Sequence, residues 1–151
     1  MILSVDPGLA HVGWALMDKR VVHDWGVVET TPRMKFHSRL KFIRATLLKI
    51  IQHHKPALLV MESFAYGWNE GRGLPDVAKA HGAIQTLPLK IREVHANSAQ
   101  PKSKKHRKRN YKKVRAIKIV KRVFGVHLLL GEHHIADAIL QGRYFLTGER
   151  L

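Results

Sequence analysis

The sequence predicts a mixed α/β fold, in which one five-stranded sheet carries helices on both faces. Three short runs of strand-like composition open the chain, and later strand-like runs alternate with segments of helical periodicity. The predicted order of elements is therefore β-β-β-α-β-α-β-α-α. Because the chain has 151 residues, of which 45% are hydrophobic, we expect a single domain that spans residues 1–151.

The first three strands are predicted to be antiparallel neighbours. Residues 2–5 form an apolar run, and residues 12–17 and 21–28 have the composition of two further strands. The link between these two is short enough for a hairpin. The sheet is therefore expected to begin with an antiparallel unit.

The next two elements return the chain to the sheet. From residue 34 to 53, apolar side chains recur every three or four positions, including Phe36, Leu40 and Ile43, which predicts an amphipathic helix that begins near Pro32. Residues 57–61 are uninterruptedly apolar, as in a strand that is covered on both faces. The helical connection makes this fourth strand parallel to an earlier one.

After the fourth strand, the predicted order is a helix, a strand, a basic segment and two further helices. A Gly-rich loop at residues 67–73 precedes a helix from about residue 74 or 76 to 87, and a fifth strand is predicted at 89–95. Residues from about 97 to 113 read as a basic loop or arm. Helical spacing then resumes at 114–124 and again at about 133–146.

The order of these elements resembles an RNase H-like architecture. In such a fold the first and fourth strands lie side by side and parallel. Asp6 follows the first of these strands and Glu62 follows the fourth. The resemblance therefore implies that both carboxylates meet at one edge of the sheet, where open α/β sheets bind ligands.

The charge of the chain indicates a polyanionic partner. The chain has 27 Lys and Arg against 11 Asp and Glu, which gives a formal net charge of +16. Basic groups that neutralise phosphates release condensed counterions, so nucleic acid is the favoured partner. A membrane surface is the competing interpretation, but the basic stretch lacks an apolar face and no apolar run approaches the roughly 20 residues needed to span a bilayer.

The absence of cysteine limits the chemistry. It excludes disulfides, cysteine-based zinc sites and thiol nucleophiles. Any metal ion would have to be held by oxygen and imidazole ligands. Because the N-terminus lacks the pattern of a secretion signal, we expect the protein to work inside a cell, in the cytoplasm.

Four side chains are candidate metal ligands: Asp6, Glu62, His134 and Asp137. A strand-end Glu without a fixed partner faces a desolvation cost, so Glu62 needs an explanation. His134 and Asp137 are three residues apart on a predicted helix and share one face, whereas Glu132 does not have that spacing. Taken alone, Asp6 in an Asp-Pro-Gly sequence is also an ordinary turn residue.

These ligands suit a nuclease that uses two divalent cations. Hydrolysis of a phosphodiester needs a positioned water and stabilisation of charge on the attacking and leaving oxygens, which two ions about 4 Å apart supply. Mg²⁺ prefers oxygen ligands, whereas Mn²⁺ accepts an imidazole more readily. Both Mg²⁺ and Mn²⁺ are therefore plausible cofactors.

Three sequence motifs resemble those of RuvC-type Holliday junction resolvases. Residues 5–9 read Val-Asp-Pro-Gly-Leu and are followed by Gly-Trp-Ala at 13–15. Residues 60–64 read Val-Met-Glu-Ser-Phe, and residues 135–138 read Ile-Ala-Asp-Ala. The likeness extends over nearly the whole chain, including its length and the order of its strands.

The resemblance implies an endonuclease that binds a four-way DNA junction as a homodimer and nicks two strands symmetrically. It also implies that the four candidate ligands are catalytic metal ligands. Many members of the family have Asp where this chain has His134. Because imidazolium does not bind metal, activity is expected to fall as the pH drops through the titration range of histidine.

A dense basic segment and a nearby aromatic loop are the candidate DNA contacts. Residues 102–122 contain 12 Lys or Arg and no acid, and aromatic residues alternate after Glu62. The resemblance places Lys112 and Lys113 near the scissile phosphate and makes Phe64, or else Tyr66, the aromatic that probes the junction. The full set of predicted contacts is Phe64, Tyr66, Lys104, Lys105, Arg107, Lys108, Arg109, Lys112 and Lys113.

Two other functions remain open from the sequence. A basic nucleic-acid-binding protein without catalysis would account for the basic segment, but it has no use for acids that repel phosphates. An RNase H-like nuclease that acts on RNA, RNA–DNA hybrids or another branched nucleic acid would keep the same ligands and change the substrate.

Overall fold

The computed structural model describes residues 1–64, 74–95, 98–99 and 109–150. The elements follow the predicted order, with one additional 3₁₀ turn at Leu130–Glu132. The strands are β1 (Ile2–Asp6), β2 (His11–Met17), β3 (Val22–Glu29), β4 (Leu59–Glu62) and β5 (Ile91–Val94). The helices are α1 (Phe36–His54), α2 (Leu74–Gln85), α3 (Arg109–Phe124) and α4 (His133–Thr147).

The five strands form one mixed sheet in the order β3-β2-β1-β4-β5. β2 pairs antiparallel with both β1 and β3, and β4 pairs parallel with both β1 and β5. The predicted antiparallel start and the parallel pairing of the first and fourth strands are therefore confirmed.

Each face of the sheet is covered by a pair of helices. Alternate residues of β1 show the division, because Leu3 and Val5 pack with α1 and α2 whereas Ile2 packs with α3 and α4. Both apolar clusters are buried, so the sheet lies in the middle of three layers. The prediction of helices on both faces is confirmed.

Helix α4 lies unusually close to strands β1 and β2. The Ser4 hydroxyl donates a buried hydrogen bond of 2.7 Å to the carbonyl of Ala138 on α4. A side chain at Gly13 would collide with the backbone of His134, and one at Gly142 would collide with Met17 and Ser4. Two glycines at separate points of the contact thus allow α4 to dock on the sheet and fix where its first turn lies.

Helix α3 begins earlier than the sequence predicted. Its first residue is Arg109, whereas the apolar spacing had placed the start at residue 114 and assigned the preceding residues to the basic arm. Periodicity detects only the part of a helix that packs against the core, and Arg and Lys have high helix propensity of their own. The last residues of the predicted arm, 109–113, are therefore helical, and residues 97 and 100–108 lie outside the described part of the chain.

Candidate metal centre and nucleic-acid interface

The ends of β1 and β4 bring two carboxylates to the same edge of the sheet. Val5 is in register with Met61, so the residues that follow them, Asp6 and Glu62, end two neighbouring parallel strands. Side chains alternate along a strand, and Ser4, two residues before Asp6, faces α4. The alternation therefore places both carboxylates on the α4 side of the sheet.

The first turn of α4 adds an imidazole to this edge. The Nδ1 atom of His134 lies 2.8 Å from Oδ2 of Asp6. Both side chains are partly buried, with exposed fractions of 29% for His134 and 15% for Asp6. An ionised carboxylate only accepts hydrogen bonds, so Nδ1 is the donor, and the neutral ring then has its lone pair on Nε2.

Asp137 follows His134 by one helical turn and is partly buried. Its spacing puts it on the same face of α4 as His134. The fold therefore brings all four predicted ligands to one region, in which the contact between Asp6 and His134 is direct.

The chemistry of this set fits a divalent cation. Three carboxylates and one imidazole are ligands that Mg²⁺ and Mn²⁺ accept. Among the residues that the structure describes, no three His, Asp or Glu side chains stand as a ready-made metal site. The hydrogen bond between Asp6 and His134 uses Oδ2 and Nδ1, so Oδ1 of Asp6 and Nε2 of His134 could bind a cation while that bond stays in place.

Two further histidines surround His134, and sequence reasoning did not assign them to the site. The ring of His11 stacks on His134 with centroids 5.5 Å apart, and the ring of His133 lies 4.0 Å from it. His11 and Gly13 are two residues apart on β2 and share a face. That alternation is the signal that could have placed His11 beside α4.

Lys113 contributes positive charge to the same region. Burial, followed by the charges of His134 and of Lys113, lowers the pKa of His133 below its usual value of 6.5. Lys113 is partly buried on α3, which packs against α4 in one apolar cluster. This predicted DNA contact is therefore on the helix that packs beside the one that carries His134.

Lys112, by contrast, is exposed on α3. Tyr66, Lys104, Lys105, Arg107 and Lys108 lie outside the described residues, as does the side chain of Arg109.

Phe64 lies two residues beyond the end of β4. Its ring is partly buried and lies 6.0 Å from the ring of His81 on α2. The predicted aromatic is therefore adjacent to the carboxylate edge along the chain, and it contacts a different helix from the one that carries His134.

The outer face of α3 carries a second group of basic residues. A cavity of about 290 Å³ is lined by Arg115, Lys118, Ile119 and Arg122. The three cations recur at intervals of three and four, so they lie on one side of the helix. Lys118 and Arg122 are exposed, whereas Ile119 is buried together with Ala116 and Val120, so the cavity lies where the basic face of the helix meets the core.

No helix within the described residues is long and apolar enough to cross a membrane.

Comparison with known proteins identifies similar chains. A family model for the crossover junction endodeoxyribonuclease RuvC matches residues 2–140. RuvC of Borrelia turicatae is 38% identical over 88 residues, which are 55% of this chain and 53% of the relative. RuvC of Rickettsia conorii is 31% identical over 108 residues, which are 66% of this chain and 68% of the relative. The first of these matches spans about half the length of the relative.

Two solved structures share the fold. Thermus thermophilus RuvC in complex with a Holliday junction substrate superimposes with a TM-score of 0.72 and 18% identity, over 94% of this chain and 90% of the other. The yeast mitochondrial Holliday junction resolvase has a TM-score of 0.59 and 12% identity, over 96% of this chain and 77% of the other.

Proposed function

The chain belongs to the RuvC family of crossover junction endodeoxyribonucleases, and we propose that it resolves four-way DNA junctions by paired, metal-dependent nicks during recombination or repair. The observation that carries this proposal is the contact between Asp6 and His134 beside the end of β4. It joins residues 128 positions apart in the sequence at one edge of the sheet. The alternation that puts Glu62 on the same side supports the same site.

We infer that Asp6, Glu62, His134 and Asp137 would hold two Mg²⁺ or Mn²⁺ ions. When bound, such ions supply an activated water and stabilise charge on the attacking and leaving oxygens. Three carboxylates concentrate negative charge at one edge, and phosphate would be repelled from that edge unless cations neutralised it. This requirement explains why a strongly basic protein keeps an acidic edge.

The residues around the ligands would orient the site. The Nδ1–H group of His134 donates a hydrogen bond to Asp6, which keeps the Nε2 lone pair available for metal binding. The ring of His11 stacks on the ring of His134 and so restricts the rotation of the His134 side chain. Lys113 would add a positive charge where the non-bridging oxygens of the scissile phosphate gain charge.

The basic surface of α3 would bind the arms of the junction. Lys118 and Arg122 face away from the core, on the side of α3 where the cavity lies, and their charges suit backbone phosphates. Such contacts read shape and charge and carry no sequence information. We expect Phe64, or Tyr66, to stack on bases opened at the crossover, as aromatic side chains do in other nucleic-acid-binding proteins.

We expect a homodimer, since symmetric nicking of a four-way junction requires two active sites. We also propose that the active chain is one nuclease domain over residues 1–151 that acts in a bacterial cell or a phage-infected host. The relatives in Borrelia and Rickettsia support the bacterial setting.

A cleavage assay tests this function. Labelled four-way junction, linear duplex and an RNA–DNA hybrid are each incubated with the protein in Mg²⁺, Mn²⁺ or EDTA. We expect paired nicks near the crossover of the junction with either metal and none with EDTA. Cleavage of the hybrid alone would instead indicate a nuclease of another substrate class, and tight binding without cleavage in every metal would indicate a binding protein.

A further inference from the structure

His81 on α2 is a buried polar residue that the proposed mechanism does not use. Its side chain is only 7% exposed. Burial of an imidazole is costly unless its nitrogen atoms have partners. The partners of His81 therefore indicate what the residue does.

The main partner of His81 is the backbone of Glu62. Its Nε2 atom lies 2.9 Å from the carbonyl oxygen of Glu62, and since a carbonyl only accepts, Nε2 carries the proton. The next amide of the chain, the N–H of Ser63, donates to the carbonyl of Val94 at 2.8 Å. The peptide that follows the Glu62 side chain is therefore held from two sides.

His81 reaches this peptide from the side opposite to the proposed ligands. Its helix packs through Ile84 into the apolar cluster shared with α1, whereas strand alternation places the Glu62 carboxylate on the α4 side. The imidazole thus fixes where the strand ends without approaching the cations that the carboxylate would bind.

The same ring also contacts the candidate aromatic probe. The centroids of His81 and Phe64 are 6.0 Å apart, with the ring planes inclined at 60°. The acid Glu93 on β5 lies beside this arrangement, with its Oε1 atom 3.8 Å from His81 Nε2 and accepting a 3.0 Å hydrogen bond from Gln85. One side chain therefore contacts both the backbone of a proposed metal ligand and the aromatic expected to meet the DNA.

We propose that His81 is a positioning residue that holds Glu62 and Phe64 in a fixed relation and so couples engagement of the junction to the geometry of the metal centre. The proposal rests on the proposed function, because it assigns roles to Glu62 and Phe64. The residue acts through the backbone and binds neither metal nor phosphate itself. Movement of Phe64 against DNA would be transmitted to the end of β4 through a single buried ring.

Three variants of the full chain test this role. His81→Leu keeps a similar volume and removes the donor, whereas His81→Gln keeps an N–H donor the same number of bonds from Cβ. Ile84→Ala is the matched control, because it removes buried apolar contacts one turn away on the same helix and leaves the imidazole of His81 in place. Thermal unfolding records the loss of stability in each variant.

The decisive readout is Mn²⁺ affinity, measured by calorimetry without DNA. We expect His81→Leu to weaken Mn²⁺ binding about tenfold, as loss of outer-sphere support does elsewhere, and His81→Gln to restore most of that loss. Ile84→Ala should lower thermal stability and keep the affinity of the wild type. Equal Mn²⁺ affinity in His81→Leu and the wild type would overturn the proposal and leave His81 as a structural residue only.

A second readout follows base opening with 2-aminopurine at the crossover, in Ca²⁺ to prevent cleavage. We expect a smaller fluorescence rise with His81→Leu than with the wild type or Ile84→Ala. A rise equal to that of the wild type would show that His81 does not couple Phe64 to the metal centre. If the wild type binds Mn²⁺ but cuts no junction, the proposed function fails while the affinity comparison still decides the role of His81. If the wild type binds no Mn²⁺, both proposals fail.

Discussion

In the proposed function, the carboxylate edge of the sheet and the outer face of α3 would act on the same nucleic acid in different ways. At the edge, partly buried groups from β1 and α4 meet at a defined distance of 2.8 Å. On α3, cations of one helix face solvent around a cavity, and no distant segment is needed to assemble them. The activity proposed for the edge therefore depends on the relative positions of a few side chains, whereas the binding proposed for α3 depends on the density of positive charge.

Substitutions in the two regions should therefore impair different steps, namely cleavage and binding. A change at the edge should abolish cleavage and leave binding intact, because few phosphate contacts are lost. A change on α3 should weaken binding and leave cleavage of the bound junction intact. The predictions below follow this division in order of decreasing effect.

His134→Ala is expected to have an effect second only to that of Asp6→Asn. Loss of an imidazole that ligates metal should slow cleavage of bound junction at least about 100-fold, beyond what loss of outer-sphere support costs. Single-turnover cleavage at saturating protein measures this rate. His133→Ala is the matched control, and a loss as large in this variant as in His134→Ala would show that the wrong histidine has been assigned.

Gly13→Ala should affect both stability and cleavage. The added methyl group would collide with the backbone carbonyl of His134, so the first turn of α4 must move, at a cost of about 1–3 kcal/mol. Cleavage should fall because the contact between Asp6 and His134 opens. Urea unfolding and cleavage rate measure the two effects.

Gly131→Ala is the control for that substitution, because a side chain there meets nothing within 4 Å. Equal stability of Gly13→Ala and Gly131→Ala would mean that α4 does not dock as closely as described.

The double variant Lys118→Gln/Arg122→Gln should weaken binding without impairing chemistry. Removing two phosphate contacts should reduce the slope of log affinity against log salt by about 2. A salt series of gel-shift measurements gives the slope, and single-turnover cleavage at saturating protein should match the wild type. An unchanged slope would exclude this face of α3 from the interface.

The smallest effect is expected in the hairpin between β2 and β3, remote from both regions. Hydrogen bonds from the Arg20 N–H, from His23 and from the Val21 N–H lower the pKa of Asp18 from 3.8 to about 2. The unfolded chain therefore binds more protons between about pH 4 and pH 2, so the stability that Asp18 contributes is present above this window and is lost as the pH falls through it.

An NMR titration of the Asp18 carboxyl group measures this value directly. Asp18→Asn should lack the pH dependence and cut junction at the wild-type rate. A pKa near 3.8 would contradict the hairpin hydrogen bonds, and slower cleavage would mean that the hairpin is part of the site.

The sequence was sufficient to predict the element order, the mixed sheet and the edge at which the acids meet. The element order depends on hydrophobic periodicity, which is a local property, whereas the pairing of the first and fourth strands, and with it the shared edge, was implied by the resemblance to an RNase H-like fold. The start of α3 at Arg109 was missed because residues 109–113 form helix without packing into the core.

The roles of His11 and Gly13 were missed for a different reason. Both depend on how closely α4 docks on β2, and that distance is a tertiary property. Similarly, nothing local indicates that His81 would reach the carbonyl of Glu62, because the contact joins a helix to a strand end that precedes it by 19 residues.

The most direct test of the central claim compares the wild type with Asp6→Asn on a four-way junction. Binding is measured in Ca²⁺ and single-turnover cleavage in Mg²⁺ or Mn²⁺, with both proteins saturating. We predict that the Asn variant binds the junction at least as tightly, since a negative charge has been removed, and cleaves it about 1000-fold more slowly. Cleavage within about tenfold of the wild-type rate would show that Asp6 is not part of a catalytic metal centre and would contradict the account.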